Sequence, residues 1–161
     1  MTTIEFRVYG IPQTKGSAKG FAVPNKQKPG KFRTIITNDN KKNKPWAQTV
    51  SGEAQRHRVD GCPFEGPIVL EMVFLMPIPK SLPKRAPAFM LKKPDVDKMT
   101  RSVKDALSGV LYIDDKQVVH TDVKKMYCEA PGVMVRLRHL TLADDPNGAY
   151  TYQRGRPTNL F

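Results

Sequence analysis

The chain has 161 residues and 18.1 kDa, one domain's worth, with 27 Lys+Arg against 15 Asp+Glu and a net charge of +12. Hydrophobic residues make up 39%, enough for a modest core, which excludes a disordered chain. No run approaches the roughly 20 apolar residues of a membrane-spanning helix, so the excess charge points to a polyanion, nucleic acid before a membrane surface.

The opening Met1-Thr2-Thr3-Ile4-Glu5 lacks a signal-peptide pattern, and Cys62 and Cys128 are too few for a disulfide framework. A reducing, cytoplasmic compartment is the expectation. Residues 4–10 alternate with period two and predict a half-buried strand ended by Gly10. Residues 11–30, rich in Gly, Pro and Lys, predict a basic loop that is partly a hairpin, and 33–37 a short second strand. Pro45 and the four-residue steps of Trp46, Val50 and Ala54 predict a helix over 45–58. The apolar run 67–76 predicts a strand buried on both faces.

Five prolines and five cations over 77–94 predict a long exposed loop. Apolar residues at 96, 99, 103, 106/107 and 110 then trace one helical stripe that ends near Gly109. Residues 118–127 and 133–140 predict two strands joined at Ala130-Pro131-Gly132 as an antiparallel hairpin. The expected fold is a single α/β (α+β) domain over 1–140, one mixed sheet of about four strands with two main helices packed on it. Residues 141–161 are expected to form a polar, flexible tail.

The charge is regional. Residues 1–60 hold twelve cations against four acids, and 77–104 hold eight against two, Asp95 and Asp97. From Asp105 to Leu140 the signs balance at five each. Two carboxylates alone in a cationic segment need a reason. Pro94 favours an extended Lys93, and an extended Asp95-Val96-Asp97 would project both acids to one side with Val96 in the core. A helix N-terminus beginning there keeps both ionised. Asp114 and Asp115 follow the same helix, and a return loop could bring them beside its start or beside the neighbouring strand.

Such oxygen ligands, leaving open coordination sites, suit Mg²⁺ or Mn²⁺ held jointly with a phosphate. Arg101, one helical turn after Asp97, can orient that carboxylate or reach a phosphate oxygen. Together these pieces describe a metal-dependent nuclease centre. The plainer reading stands beside it: Asp97 as an N-cap, Asp95 answering the helix dipole, Asp114-Asp115 as a turn, Arg101 as a surface pair. His57, His120 and His139 share no metal-ligand spacing.

Lys93-Pro94-Asp95-Val96-Asp97-Lys98, with Arg101 in the next turn, Asp105-Ala106-Leu107, and Asp114-Asp115-Lys116-Gln117-Val118, resembles the RusA family of Holliday junction resolvases. Tyr9-Gly10-Ile11-Pro12, with Lys15-Gly16, is similar to the family's first strand and basic loop. The resemblance implies a homodimeric Mg²⁺- or Mn²⁺-dependent endonuclease of RusA-like fold that nicks two opposed strands of a four-way DNA junction. It puts the metal-binding acids at Asp95, Asp97 and Asp115, with Asp114 adjacent, and the family's active-site lysine at Arg101. Lys98 replaces a common asparagine, and Ser17-Ala18-Lys19 a more arginine-rich stretch. Lys15, Lys19, Lys92, Lys93, Lys98 and Lys104 are the expected DNA contacts. Two rivals are a non-catalytic structure-specific DNA-binding protein and a metal-dependent nuclease acting on flaps or other branched DNA.

Overall fold

The computed structural model describes residues 1–38, 40–83 and 88–141, so the expected tail beyond Thr141 lies outside the described residues, as do Lys84 and Arg85 of the proline-rich loop. In chain order the elements are β1 (Thr2–Tyr9), β2 (Ala18–Pro24), β3 (Phe32–Asn38), α1 (Asn43–Arg56), β4 (Ile68–Pro77), α2 (Val96–Leu107), β5 (Val118–Cys128) and β6 (Gly132–His139). The main sheet is mixed and four-stranded in the order β1-β6-β4-β5, and both helices pack on one face of it. The expected α+β architecture is therefore the observed one, with a separate two-stranded ribbon, β2–β3, added to it.

Strand periodicity builds the core. Ile4, Leu137 and Leu70 lie in register across β1, β6 and β4, followed by Phe6, Val135 and Met72, then Val8, Val133 and Phe74. All nine are buried, and Trp46, Val50 and Ala54 of α1 with Met99, Val103 and Leu107 of α2 close over them. Among the described residues Ser102 is the one polar side chain buried here; its hydroxyl donates to Asn43 Oδ1 at 2.6 Å and ties the two helices together. On the opposite face Arg136 bridges Glu5 and Glu71 at 2.6 and 3.1 Å, and Arg138 joins Glu71 at 2.7 Å. The expected double burial of β4 thus holds for Val69 and Leu75 but is interrupted by the half-buried Glu71.

The expected hairpin of the last two strands does not form. β5 pairs in parallel with β4 and β6 pairs antiparallel with it, so β4 lies between them. The cause is burial. β4 alone is apolar along most of its length, while β5 is exposed over His120–Asp122 and suits an edge. With α2 as the crossover, β4–α2–β5 is a parallel β-α-β unit. The short Glu129–Pro131 link then passes the end of β4 to start β6.

Gly132 makes that passage possible. A Cβ there would stand 2.2 Å from the Val8 carbonyl oxygen, so any larger residue collides with the backbone of β1. α2 ends beside Gly109, as expected: Leu107 is its last residue, Ser108 is extended, Gly109 has φ +75°, and Gly109 N donates to the Tyr112 carbonyl at 2.7 Å.

Candidate active site

The segment before α2 is held by β5. Met90 N donates to the Lys125 carbonyl at 3.1 Å and Tyr127 N to the Ala88 carbonyl at 2.9 Å, so the end of the proline-rich loop lies against that strand. Lys125 Nζ donates to the carbonyls of Lys92 and Pro94 at 2.7 and 2.8 Å. The ammonium thereby fixes the two residues that aim Asp95.

Asp95 is extended (φ −71°, ψ 137°) and occupies the N-cap position of α2, yet its carboxylate caps nothing. Its nearest charge is Lys98 Nζ at 3.6 Å, and the side chain is half exposed. Asp97 lies in the first helical turn, exposed, with no hydrogen bond or ion pair among the described residues. Val96 is 39% exposed, contrary to the expectation that it would enter the core. The reason is that the extended conformation ends at Asp95, and Val96 is already helical.

Both acids line one open depression, with Phe89, Met90, Val123, Lys124 and Lys125 around them. Asp95 also borders a second depression shared with Ile11–Thr14, Lys93 and Lys98. Arg101, four residues after Asp97, is exposed and likewise without an ion pair. The N-cap position thus falls to Asp95 and not to the expected Asp97, no carboxylate bond caps the helix, and the surface-pair reading of Arg101 finds no ion pair among the described residues. Two carboxylates stand at the positive end of the α2 dipole, Asp95 with only the 3.6 Å contact to Lys98 and Asp97 with no partner among the described residues, and the Arg101 guanidinium lies one turn further along the helix.

Asp114 and Asp115 lie elsewhere. They open a single 3₁₀ turn, Asp115–Gln117, that leads into β5. The Val123–Lys125 stretch that faces Asp95 is five or more residues further along that strand, roughly 17 Å. Asp114 Oδ1 accepts from Lys116 N at 3.0 Å, while Asp114 N donates to Gln117 Oε1 at 2.8 Å, a complete capping box. The Lys116 amide holds the Asp114 carboxyl below its ordinary range. Asp115 is exposed beside this turn. Among the described residues, no three His, Cys, Asp or Glu side chains are placed to share one metal ion.

Gln117 completes the anchor, its Nε2 donating to the carbonyls of Phe64 and Gly66, both at 2.9 Å. Gln117→Ala is expected to cost about 1–3 kcal/mol in urea unfolding, because it strands these carbonyls and opens the capping box.

The cations sort by partner. Lys15 Nζ is paired with Asp105, and Lys15 N donates to the Lys98 carbonyl at 3.1 Å, so this lysine runs along α2. Lys92, Lys93 and Lys98 are exposed around Asp95, and Lys104 is half-buried one turn beyond Arg101. The side chain of Lys19 lies outside the described ones. Lys124 and Lys125 were missed by the sequence reading. Their signal existed only for a β5 laid parallel to β4, and the hairpin assignment hid it.

No helix among the described residues is long and apolar enough to cross a membrane. The family model described as Endodeoxyribonuclease RusA matches residues 21–138, from β2 to β6. The uncharacterised protein YqaN of Bacillus subtilis (strain 168) is similar at 35% identity over 150 residues, 88% of this chain and 99% of that protein. The matched span contains both acid-bearing turns, the helix between them, β4, β5 and nearly all of β6; the chain belongs to the RusA endodeoxyribonuclease family.

Proposed function

We propose that the chain is a Mg²⁺-dependent endonuclease that resolves four-way DNA junctions as a homodimer, in cytoplasmic DNA recombination and repair. The observation that carries the reading is the Asp95–Asp97 pair, left without hydrogen-bonded side-chain partners among the described residues at a helix N-terminus inside a cationic segment. Such a donor set fits the ion. Mg²⁺ is commonly held by one or two carboxylates, the rest of its shell being water and substrate phosphate. Mn²⁺ suits the same oxygens. Asp95 and Asp97 would hold it; Asp115, the further acid that the family pattern assigns, is not brought beside them within this chain. When bound, the ion supplies a Lewis acid for the phosphate and an acidified water.

The chain's own residues do the rest. Lys93 and Lys98 attract the DNA backbone to the acids and offset the charge of phosphate and carboxylates together. Arg101 offers a planar fork to a phosphate oxygen; as a guanidinium it keeps its charge and does not give up its proton at neutral pH. Lys125 is a positioning residue: it aims Asp95 through the Lys92 and Pro94 carbonyls. A two-fold dimer would present two such sites to the two equivalent phosphates of a junction.

Lys125→Met is expected to lower the nicking rate about 10- to 100-fold through misplacement of the acids. Junction affinity should stay within about threefold, and Lys125→Arg should recover most of the rate. Equal losses in rate and affinity would assign Lys125 to DNA binding instead. The substrate class is tested by cleavage in Mg²⁺ of four-way junction, flap, duplex and single-stranded DNA side by side. Preferential cutting of the junction supports the proposal; preferential cutting of the flap moves the substrate assignment, and binding without cutting removes the enzyme.

A further inference from the structure

The β2–β3 ribbon adds no described side chain to the core. Its strands pair only with each other, from Ala18 opposite Asn38 to Pro24 opposite Phe32, and none of their described side chains joins the buried cluster. Seven-residue strands give it a reach of roughly 23 Å before the tip. From Ile11 to Asn38 the chain carries Lys15, Lys19, Lys26, Lys28, Lys31 and Arg33 and no acid. Lys26, Lys28, Lys31 and Arg33 are exposed and have no ion-pair partner among the described residues.

The tip is ordered by its own backbone. Asn25 N donates to the Lys31 carbonyl at 2.7 Å, and Lys28 N and Lys31 N donate within the turn. Phe21 and Ile35 face each other directly across the strands, on the same side as Arg33. Phe21 is 54% exposed and Ile35 37%. An apolar cross-strand pair left in water on a purely cationic ribbon marks a surface for a partner that is both anionic and flat-faced. DNA has both properties, phosphates outside and base faces wherever stacking is broken.

The root of the ribbon adjoins the acids. Lys15 N bonds the Lys98 carbonyl, one residue after Asp97, and Asn40 Nδ2 donates to the Thr14 carbonyl and hydroxyl at 2.9 and 3.2 Å, closing the neck. An arm rooted there and a substrate at Asp95 and Asp97 would meet on the same DNA.

We propose that the β2–β3 ribbon is a DNA-engaging arm: the Phe21–Ile35 pair packs against a base face exposed at the branch point, while Lys26, Lys28 and Lys31 hold adjacent phosphates. The inference rests on the junction-resolving reading above and adds to it the residues that recognise the branch. Phe32, on the other side of the ribbon, is not part of this contact.

The test uses a four-way junction with 2-aminopurine beside the branch point, titrated with the full chain in EDTA. The wild type should raise the fluorescence as the base is unstacked. Phe21→Ala should bind about tenfold more weakly and leave the fluorescence flat at saturation, while Phe21→Tyr and Phe32→Ala should behave as wild type. Replacing Lys26, Lys28 and Lys31 together by alanine should reduce the slope of log affinity against log salt by about 2–3. A Phe21→Ala protein equal to wild type in affinity and fluorescence, or wild-type binding with no rise, would overturn the arm and leave the junction reading standing. A wild type that binds junction no better than linear duplex would overturn both.

Discussion

Asp97→Asn is expected to abolish Mg²⁺-dependent nicking, a loss of about 10³-fold or more, with junction affinity preserved within about twofold. The substitution keeps the shape and removes only the charge. Asp97 is exposed and bonded to nothing described, so the fold has little to lose: at most about 0.3–1 kcal/mol of helix-dipole interaction. That small term is also the whole effect expected if Asp97 served only the helix. The two roles therefore separate cleanly, one removing activity at nearly constant stability and the other lowering stability slightly at constant activity. Single-turnover cleavage of a labelled junction, paired with a binding titration in EDTA, reads both quantities. Asp95→Asn should behave in the same way, since its carboxylate caps no amide either.

The largest effect expected on stability is at Gly132. It sits between Tyr9 of β1 and Leu75 of β4, buried, where an added Cβ would overlap the Val8 carbonyl oxygen. Neither neighbour can yield without breaking the register that sets Val8, Val133 and Phe74 in one row. Gly132→Ala should cost about 3 kcal/mol or more in urea unfolding, at the upper end of overpacking penalties. Gly52 provides the contrast. It lies within α1, has nothing within 4 Å of a Cβ, and Gly52→Ala should stabilise by about 0.5–1 kcal/mol through helix propensity. If both glycines respond alike, the close approach at Gly132 is not what fixes β6.

Local pattern made part of this fold legible. The alternation of Ile4, Phe6 and Val8 marked β1, and the recurrence of Met99, Val103 and Leu107 marked α2. Strand neighbours were not legible, because a three-residue link closes a hairpin and crosses the end of a third strand equally well. What decided the matter was which strand could be buried at the centre, and β4 won through its apolar length. The ribbon was read mostly as loop, since Gly16, Gly20, Pro24 and Pro29 break local propensity. Its order comes from pairing between strands.

The candidate site divides in the same way. Asp95, Asp97, Arg101 and the surrounding lysines stood out as charges against a local background. Whether those charges were already satisfied is a three-dimensional property, and the sequence left capping and catalysis equally open. Val96 was misplaced because the helix begins one residue earlier than a two-acid extended segment requires. Lys125 was invisible for a different reason: it reaches Pro94 only because β5 took the edge beside β4. The Asp114–Gln117 motif proved to be a local staple that anchors the turn before β5, with Asp115 left at its surface.

The most direct measurement is a nick map on an immobile four-way junction whose four strands are labelled in turn, with the wild-type chain in Mg²⁺ and in EDTA. Paired nicks at symmetry-related phosphates on two opposed strands, present in Mg²⁺ and absent in EDTA, are expected. Salt-sensitive binding of the same junction with no nick at any protein concentration, in Mg²⁺ or Mn²⁺, would contradict a metal-dependent centre at Asp95 and Asp97.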